Sequence, residues 1–111
     1  KWTLAEIVEM TCRFILSQLE NAELTVNDAA NHCYLNPIYL NRLFKKEKGM
    51  SISQYIINER MILAGKLLEE TGLNAYTVAQ KVGYANYPHF NTSFRKHYGC
   101  APSQYKKNKE V

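Results

Sequence analysis

Apolar side chains at Leu4, Ile7, Val8, Phe14, Ile15 and Leu19 return at helical intervals, with charge on the face between them. This pattern predicts an amphipathic helix from Trp2 to about Asn21. Thr25-Val-Asn-Asp28 places a hydroxyl three residues ahead of an acid, the opening of a short second helix through Ala29, Ala30 and Cys33. Asn36-Pro37 opens a third. There Asn takes up free N–H groups, and Pro fills the first helical position, where its missing N–H costs nothing. This helix runs to about Glu47 and stops before Gly49. Ser51-Ile-Ser-Gln54 is a second capping pattern and opens the longest helix, to about Glu70, with Tyr55, Ile56, Leu63, Leu67 and Leu68 inward. Gly65 inside it weakens it by roughly 1 kcal/mol relative to Ala, which points to a close helix contact. Asn74 caps a short helix over about 75–82, Asn86 caps another to about His97, and Pro102 opens a last one. No stretch alternates apolar and polar residues over strand length. The expected fold is all-α, with about seven helices.

The second half echoes the first at an offset of fifty. Ala29, Tyr34 and Asn36 pair with Ala79, Tyr84 and Asn86; Phe44-Lys45-Lys46 pairs with Phe94-Arg95-Lys96; Gly49 pairs with Gly99; Ser53-Gln54-Tyr55 recurs as Ser103-Gln104-Tyr105. Two helices joined by a turn of a few residues form a helix-turn-helix, and here the unit occurs twice. The expected organisation is a leading linker helix over 1–24, a first helix-turn-helix over 25–50, a connecting helix over 51–71, a second helix-turn-helix over 72–107 and a basic tail over 108–111.

Charge sharpens this picture. The 111 residues carry a net charge of +4. Residues 1–24 hold Lys1 and Arg13 against Glu6, Glu9, Glu20 and Glu23, so the positive excess lies in the repeated region, as a polyanionic partner requires. Cys12, Cys33 and Cys100 are scattered and odd in number, so a disulfide framework is not expected and a reducing interior is the natural setting. No run is long and apolar enough to cross a membrane, and no export signal is present. The chain begins with Lys, which suggests a fragment of a longer protein.

The chemistry falls on the second helix of each copy. In the first, Leu40, Leu43 and Phe44 share an inner side, while Pro37, Ile38, Asn41, Arg42 and Lys45 share the other. An α-helix fills the major groove with its N-terminal half against base edges. Arg42 suits guanine O6 and N7, Asn41 suits adenine N6 and N7, and Ile38 suits a thymine methyl. In the second copy Phe90 and Phe94 face inward, and Tyr87, Pro88, Asn91, Thr92 and Arg95 face outward. That face has fewer long donors and is expected to read fewer bases, relying more on phosphate and shape.

These stretches resemble the DNA-binding domain of AraC/XylS-type bacterial transcription regulators, over about residues 22–107. The resemblance rests on Leu40-Asn-Arg-Leu-Phe-Lys-Lys-Glu47 with Gly49, Tyr55 through Arg60 to Ala64 and Leu67-Leu68, Val82-Gly-Tyr84, and Phe90 through Phe94-Arg-Lys-His-Tyr-Gly99 to Pro102-Ser-Gln-Tyr105. It implies two helix-turn-helix subdomains joined by one long helix, with both recognition helices in successive major-groove segments of double-stranded DNA. It implies the readers Pro37, Ile38, Asn41, Arg42 and Lys45, and Tyr87, Pro88, Asn91, Thr92 and Arg95. Tyr87-Pro88 is an unusual opening for a reading helix, and Ala101 departs from the residue common before Pro102. It further implies a cytoplasmic output domain, an activator in contact with RNA polymerase, and a missing N-terminal sensor or receiver domain.

Other readings carry less. A protein–protein module would leave Arg42, Lys45 and Arg95 idle. An enzyme has no support: there is no phosphate loop, no HExxH and no nucleophile elbow. His32-Cys33 and His97…Cys100 lack zinc spacing, so no metal and no cofactor is expected. Arg60, mid-helix between apolar neighbours, reads as a structural anchor, and Tyr55 and Tyr105 as packing residues.

Overall fold

Helices in this chain begin where a small polar side chain can take up free N–H groups. The structure, a computed structural model, describes residues 1–109. Thr3 opens α1 (Leu4–Ser17) and Thr25 opens α2 (Val26–His32), each as a full capping box, with Glu6 and Asp28 bonding back. Asn36 opens α3 (Pro37–Lys48), Asn74 opens α5 (Ala75–Lys81) and Asn86 opens α6 (Tyr87–Tyr98). A cap of this kind stabilises a helix by about 1 kcal/mol. Between them runs α4 (Ile52–Glu70), and α7 (Pro102–Lys109) closes the described residues, among which there is no strand. The tail expected over 108–111 begins inside α7; Glu110 and Val111 lie outside the described residues.

The chain divides into two compact units. The first takes Lys1–Leu19 and Glu23–Ile56, that is α1, α2, α3 and the start of α4. There α1 packs on both α2 and α3. Val8, Ile15, Ala29, Ala30, Leu40, Phe44 and Ile52 are buried, so three helices and the head of α4 share one core. Thr11 is the buried polar residue of this core; its hydroxyl donates to Ile7 O at 2.8 Å and lies 3.4 Å from Cys33 Sγ.

The second unit takes Glu20–Ala22 and the chain from Ile57 onward. Its core is Met61, Ala64, Leu68, Val78, Ala79, Val82, Tyr84, Phe90 and Phe94. Aromatic rings continue outward from it: Phe94 lies 4.5 Å from Tyr98 and 5.4 Å from Tyr105, centroid to centroid. Gly65 sits beside them. A Cβ there would fall on the Tyr98 hydroxyl, which donates to Met61 O at 2.7 Å. This is the close contact that the mid-helix glycine implied. Arg60 acts as an anchor: Nη2 donates to Asn21 O at 2.9 Å and the guanidinium lies 5.7 Å from the Tyr84 ring centroid. Burial pulls its pKa down, and its Nε is buried without a partner among the described residues.

The repeat is not uniform. After the turns the offset is fifty, as Pro37 and Tyr87 both open a recognition helix and Gly49 and Gly99 both close one in the left-handed region. Before the turns it is forty-nine. Leu35 N–H donates to Ala30 O and Tyr84 N–H donates to Ala79 O, at 3.0 and 2.9 Å. The structural counterpart of Ala29 is therefore Val78, and that of Tyr34 is Gly83 rather than Tyr84. Both turn residues have positive φ, 57° for Tyr34 and 93° for Gly83. The second turn holds one residue more than the first, which restores the offset by Asn86.

Candidate nucleic-acid interface

Each candidate face is built on a helix held from both ends. In α3 the side-chain Asn36 Oδ1 accepts from Ile38 N–H at 2.9 Å and Tyr39 N–H at 3.2 Å. Gly49 closes the other end, its N–H bonded to Lys45 O at 2.8 Å. Leu40 and Phe44 are fully buried, which fixes the rotation of the helix. Ile38, 73% exposed, stands on the opposite side with Arg42 and Lys45, both exposed. Neither cation forms an ion pair among the described residues. Lys45, Lys46 and Lys48 crowd the last turn, where the helix dipole favours positive charge.

Pro37 and Asn41 behave differently from the other three expected readers. Both are half-buried. Pro37 is the first residue of α3 and belongs to its cap. Asn41 Oδ1 accepts the Ile52 N–H at 2.9 Å. The expected bidentate pairing of Asn41 with adenine uses that same oxygen, which here holds the head of α4. Ser51 Oγ accepts the next free N–H, that of Gln54, at 3.1 Å.

In α6 the side-chain Asn86 Oδ1 accepts from His89 N–H at 2.9 Å, and Phe90 and Phe94 are fully buried. Pro88, Thr92 and Arg95 are exposed, and Asn91 is half-buried. Thr92 turns its hydroxyl back on its own helix, donating to Pro88 O at 3.0 Å, and so presents its methyl. Tyr87 packs at the head of α6. Its ring stacks on Tyr76 at 4.0 Å and leans on Phe90 at 5.8 Å, and burial with the neighbouring Tyr76 raises its pKa. Tyr76 itself, 66% exposed, was not singled out by the sequence pattern. It lies in the first turn of α5, and only the stacking brings it to the head of α6. Lys106 of α7 donates to Leu73 O at 2.9 Å.

Both units thus offer the same object: a capped helix, apolar on its inner side, whose outer side bears cations that form no ion pair among the described residues. A family model described as a helix-turn-helix domain matches residues 17–108. The arabinose operon regulatory protein of Escherichia coli is 28% identical over 99 residues, which is 89% of this chain and 34% of that protein. The chain belongs to the AraC-type helix-turn-helix family.

Within the AraC family, the HTH-type transcriptional regulator YtdP of Bacillus subtilis, itself uncharacterized, is 38% identical over 88 residues, 79% of this chain and 11% of its own length. The C-terminal domain of AraT, a response regulator from Geobacillus stearothermophilus, superposes with a TM-score of 0.93 at 31% identity, covering 99% of this chain and 91% of that one. The chain spans only between 11% and 34% of these two curated AraC-family relatives. The AraC-family fold agrees with the expected architecture of two helix-turn-helix subdomains joined by a long helix, here α4. Among the described residues no helix is long and apolar enough to cross a membrane.

Proposed function

We propose that this chain is the double-stranded-DNA-binding output module of a bacterial transcription regulator. The observation that carries the proposal is the pair of capped helices, α3 and α6, whose outer faces bear cations with no ion pair among the described residues while their inner faces are locked by Phe44, Phe90 and Phe94. Membership of the AraC family supports it. In this reading α3 enters the major groove with Arg42 against guanine, Ile38 against a thymine methyl and Lys45 near phosphate. The second helix, α6, presents Pro88, Asn91, Thr92 and Arg95 to the next groove segment, while Tyr87 shapes its head. Pro37 and Asn41 border the first face. Two reading helices in one chain call for a bipartite site, with half-sites about one DNA turn, roughly 34 Å, between centres. The family link extends the proposal to cytoplasmic localisation, to a sensor or receiver domain elsewhere in the polypeptide, and to activation through contact with RNA polymerase. No catalytic group enters the proposal.

The test is selection of bound duplexes from a random pool, then footprinting at two salt concentrations. The expected result is a bipartite motif and an affinity that falls steeply with salt, because neutralised phosphates release counterions. Weak, sequence-blind binding with no enriched motif would favour a protein-interaction module instead.

A further inference from the structure

The two recognition helices carry an asparagine at the same position, Asn41 in α3 and Asn91 in α6, yet the structure gives them different work. Asn41 Oδ1 accepts the N–H of Ile52 at 2.9 Å. Ile52 is the first residue of α4 and fully buried, so its N–H has no water to turn to. Without Asn41 that donor is left unsatisfied at the base of the core. The residue matching Ile52 in the second copy is Pro102, fixed by the recurrence of Ser53-Gln54-Tyr55 as Ser103-Gln104-Tyr105. Pro102 opens α7 and has no N–H to offer. Asn91 is half-buried and makes no hydrogen bond among the described residues. Both its amide oxygen and its amide nitrogen remain available.

Resting on the DNA-binding reading, we infer that adenine readout by asparagine belongs to Asn91 alone, and that Asn41 is a positioning residue that ties α3 to the head of α4. A bidentate contact to adenine needs the amide oxygen to accept from N6 and the amide nitrogen to donate to N7. Asn91 meets that need with a side chain held by nothing else. Asn41 has its oxygen drawn toward Ile52. The proline that ends the need for a cap in the second copy is what releases the second asparagine. This gives the second helix a base contact that its shortage of long donors did not suggest.

The experiment uses this chain and the duplex recovered by selection from a random pool, with every single base-pair substitution measured. Asn91→Ala is expected to flatten a preference for one A·T pair, from roughly tenfold to near unity, leaving other positions unchanged. Asn41→Ala is expected to lower the melting temperature, to speed hydrogen exchange at the Ile52 amide, and to weaken all duplexes by the same factor. Asn41→Asp keeps an acceptor for Ile52 and removes the adenine-facing donor. It is expected to keep the slow exchange and the base profile, and it serves where Asn41→Ala does not fold. Loss of an adenine preference in either Asn41 variant, or an unchanged profile in Asn91→Ala, overturns the assignment. A parent chain with no sequence preference overturns the DNA-binding reading itself, a different outcome from either of these.

Discussion

Gly65 stands against the hydroxyl of Tyr98, and the space between them excludes a methyl group. A Cβ at Gly65 would fall on Tyr98 Oη, with Tyr105 Oη 3.3 Å away. Alanine is the better helix former by about 1 kcal/mol, so an exposed glycine would gain from the change. Here Gly65→Ala is expected to lower the melting temperature. Adding Tyr98→Phe removes the obstructing oxygen and should recover part of the loss, although it also gives up the bond to Met61 O. Thermal unfolding of the two single variants and the double variant measures the coupling.

Tyr34 occupies a left-handed conformation with its side chain 95% exposed. For a non-glycine residue that conformation costs roughly 1–2 kcal/mol. Tyr34→Gly should therefore stabilise the first unit, by up to about 1 kcal/mol once glycine's greater freedom in the unfolded chain is counted. Tyr84 matches Tyr34 at an offset of fifty but is 6% exposed and packs on Phe90. Tyr84→Gly should destabilise by about 3–5 kcal/mol, as truncation of a buried aromatic does. Urea denaturation distinguishes the opposite signs.

Tyr105 is pushed well above the ordinary tyrosine range, by burial and by its hydrogen bond to Glu69. A phenol whose folded pKa is raised binds its proton more tightly in the folded state. Its contribution is whole below pH of about 10, the unfolded value, and is lost as pH rises beyond it. The chain should lose stability on the alkaline side of that point. Tyr105→Phe should lower stability at neutral pH and make the alkaline loss shallower, as followed by melting temperature against pH.

Arg42 and Lys45 share a face and form no ion pair among the described residues. Under the proposed function, Arg42→Ala should cost about 1–3 kcal/mol of DNA binding and relax preference at one base pair. Lys45→Ala should weaken all sequences alike and reduce the salt slope by about one. Titrations at several salt concentrations check both.

The helices were legible because their signals are local. Thr25, Asn36, Asn74 and Asn86 each announce a helix start within three residues of the groups they cap. Phe44, Phe90 and Phe94 follow from helical spacing. The Asn41–Ile52 tie was not legible, because it joins residues eleven apart across a turn and looks from sequence like one more outward amide. The stack of Tyr76 on Tyr87 likewise depends on how α5 meets α6. The identity of Tyr34 and Tyr84 misled alignment of the first half of each copy, since the bonds to Ala30 O and Ala79 O set a different register.

The unequal turns also limit how the copies can be recombined. A chimera that grafted α2 in place of α5 at an offset of fifty would advance the helix by one residue. One residue is a rotation of about 100°, enough to swing Ala29 and Ala30 off the buried side. A graft made at forty-nine before the turn and fifty after it keeps both inner faces in place. The two halves are therefore interchangeable parts only when the cut respects the extra residue before Asn86.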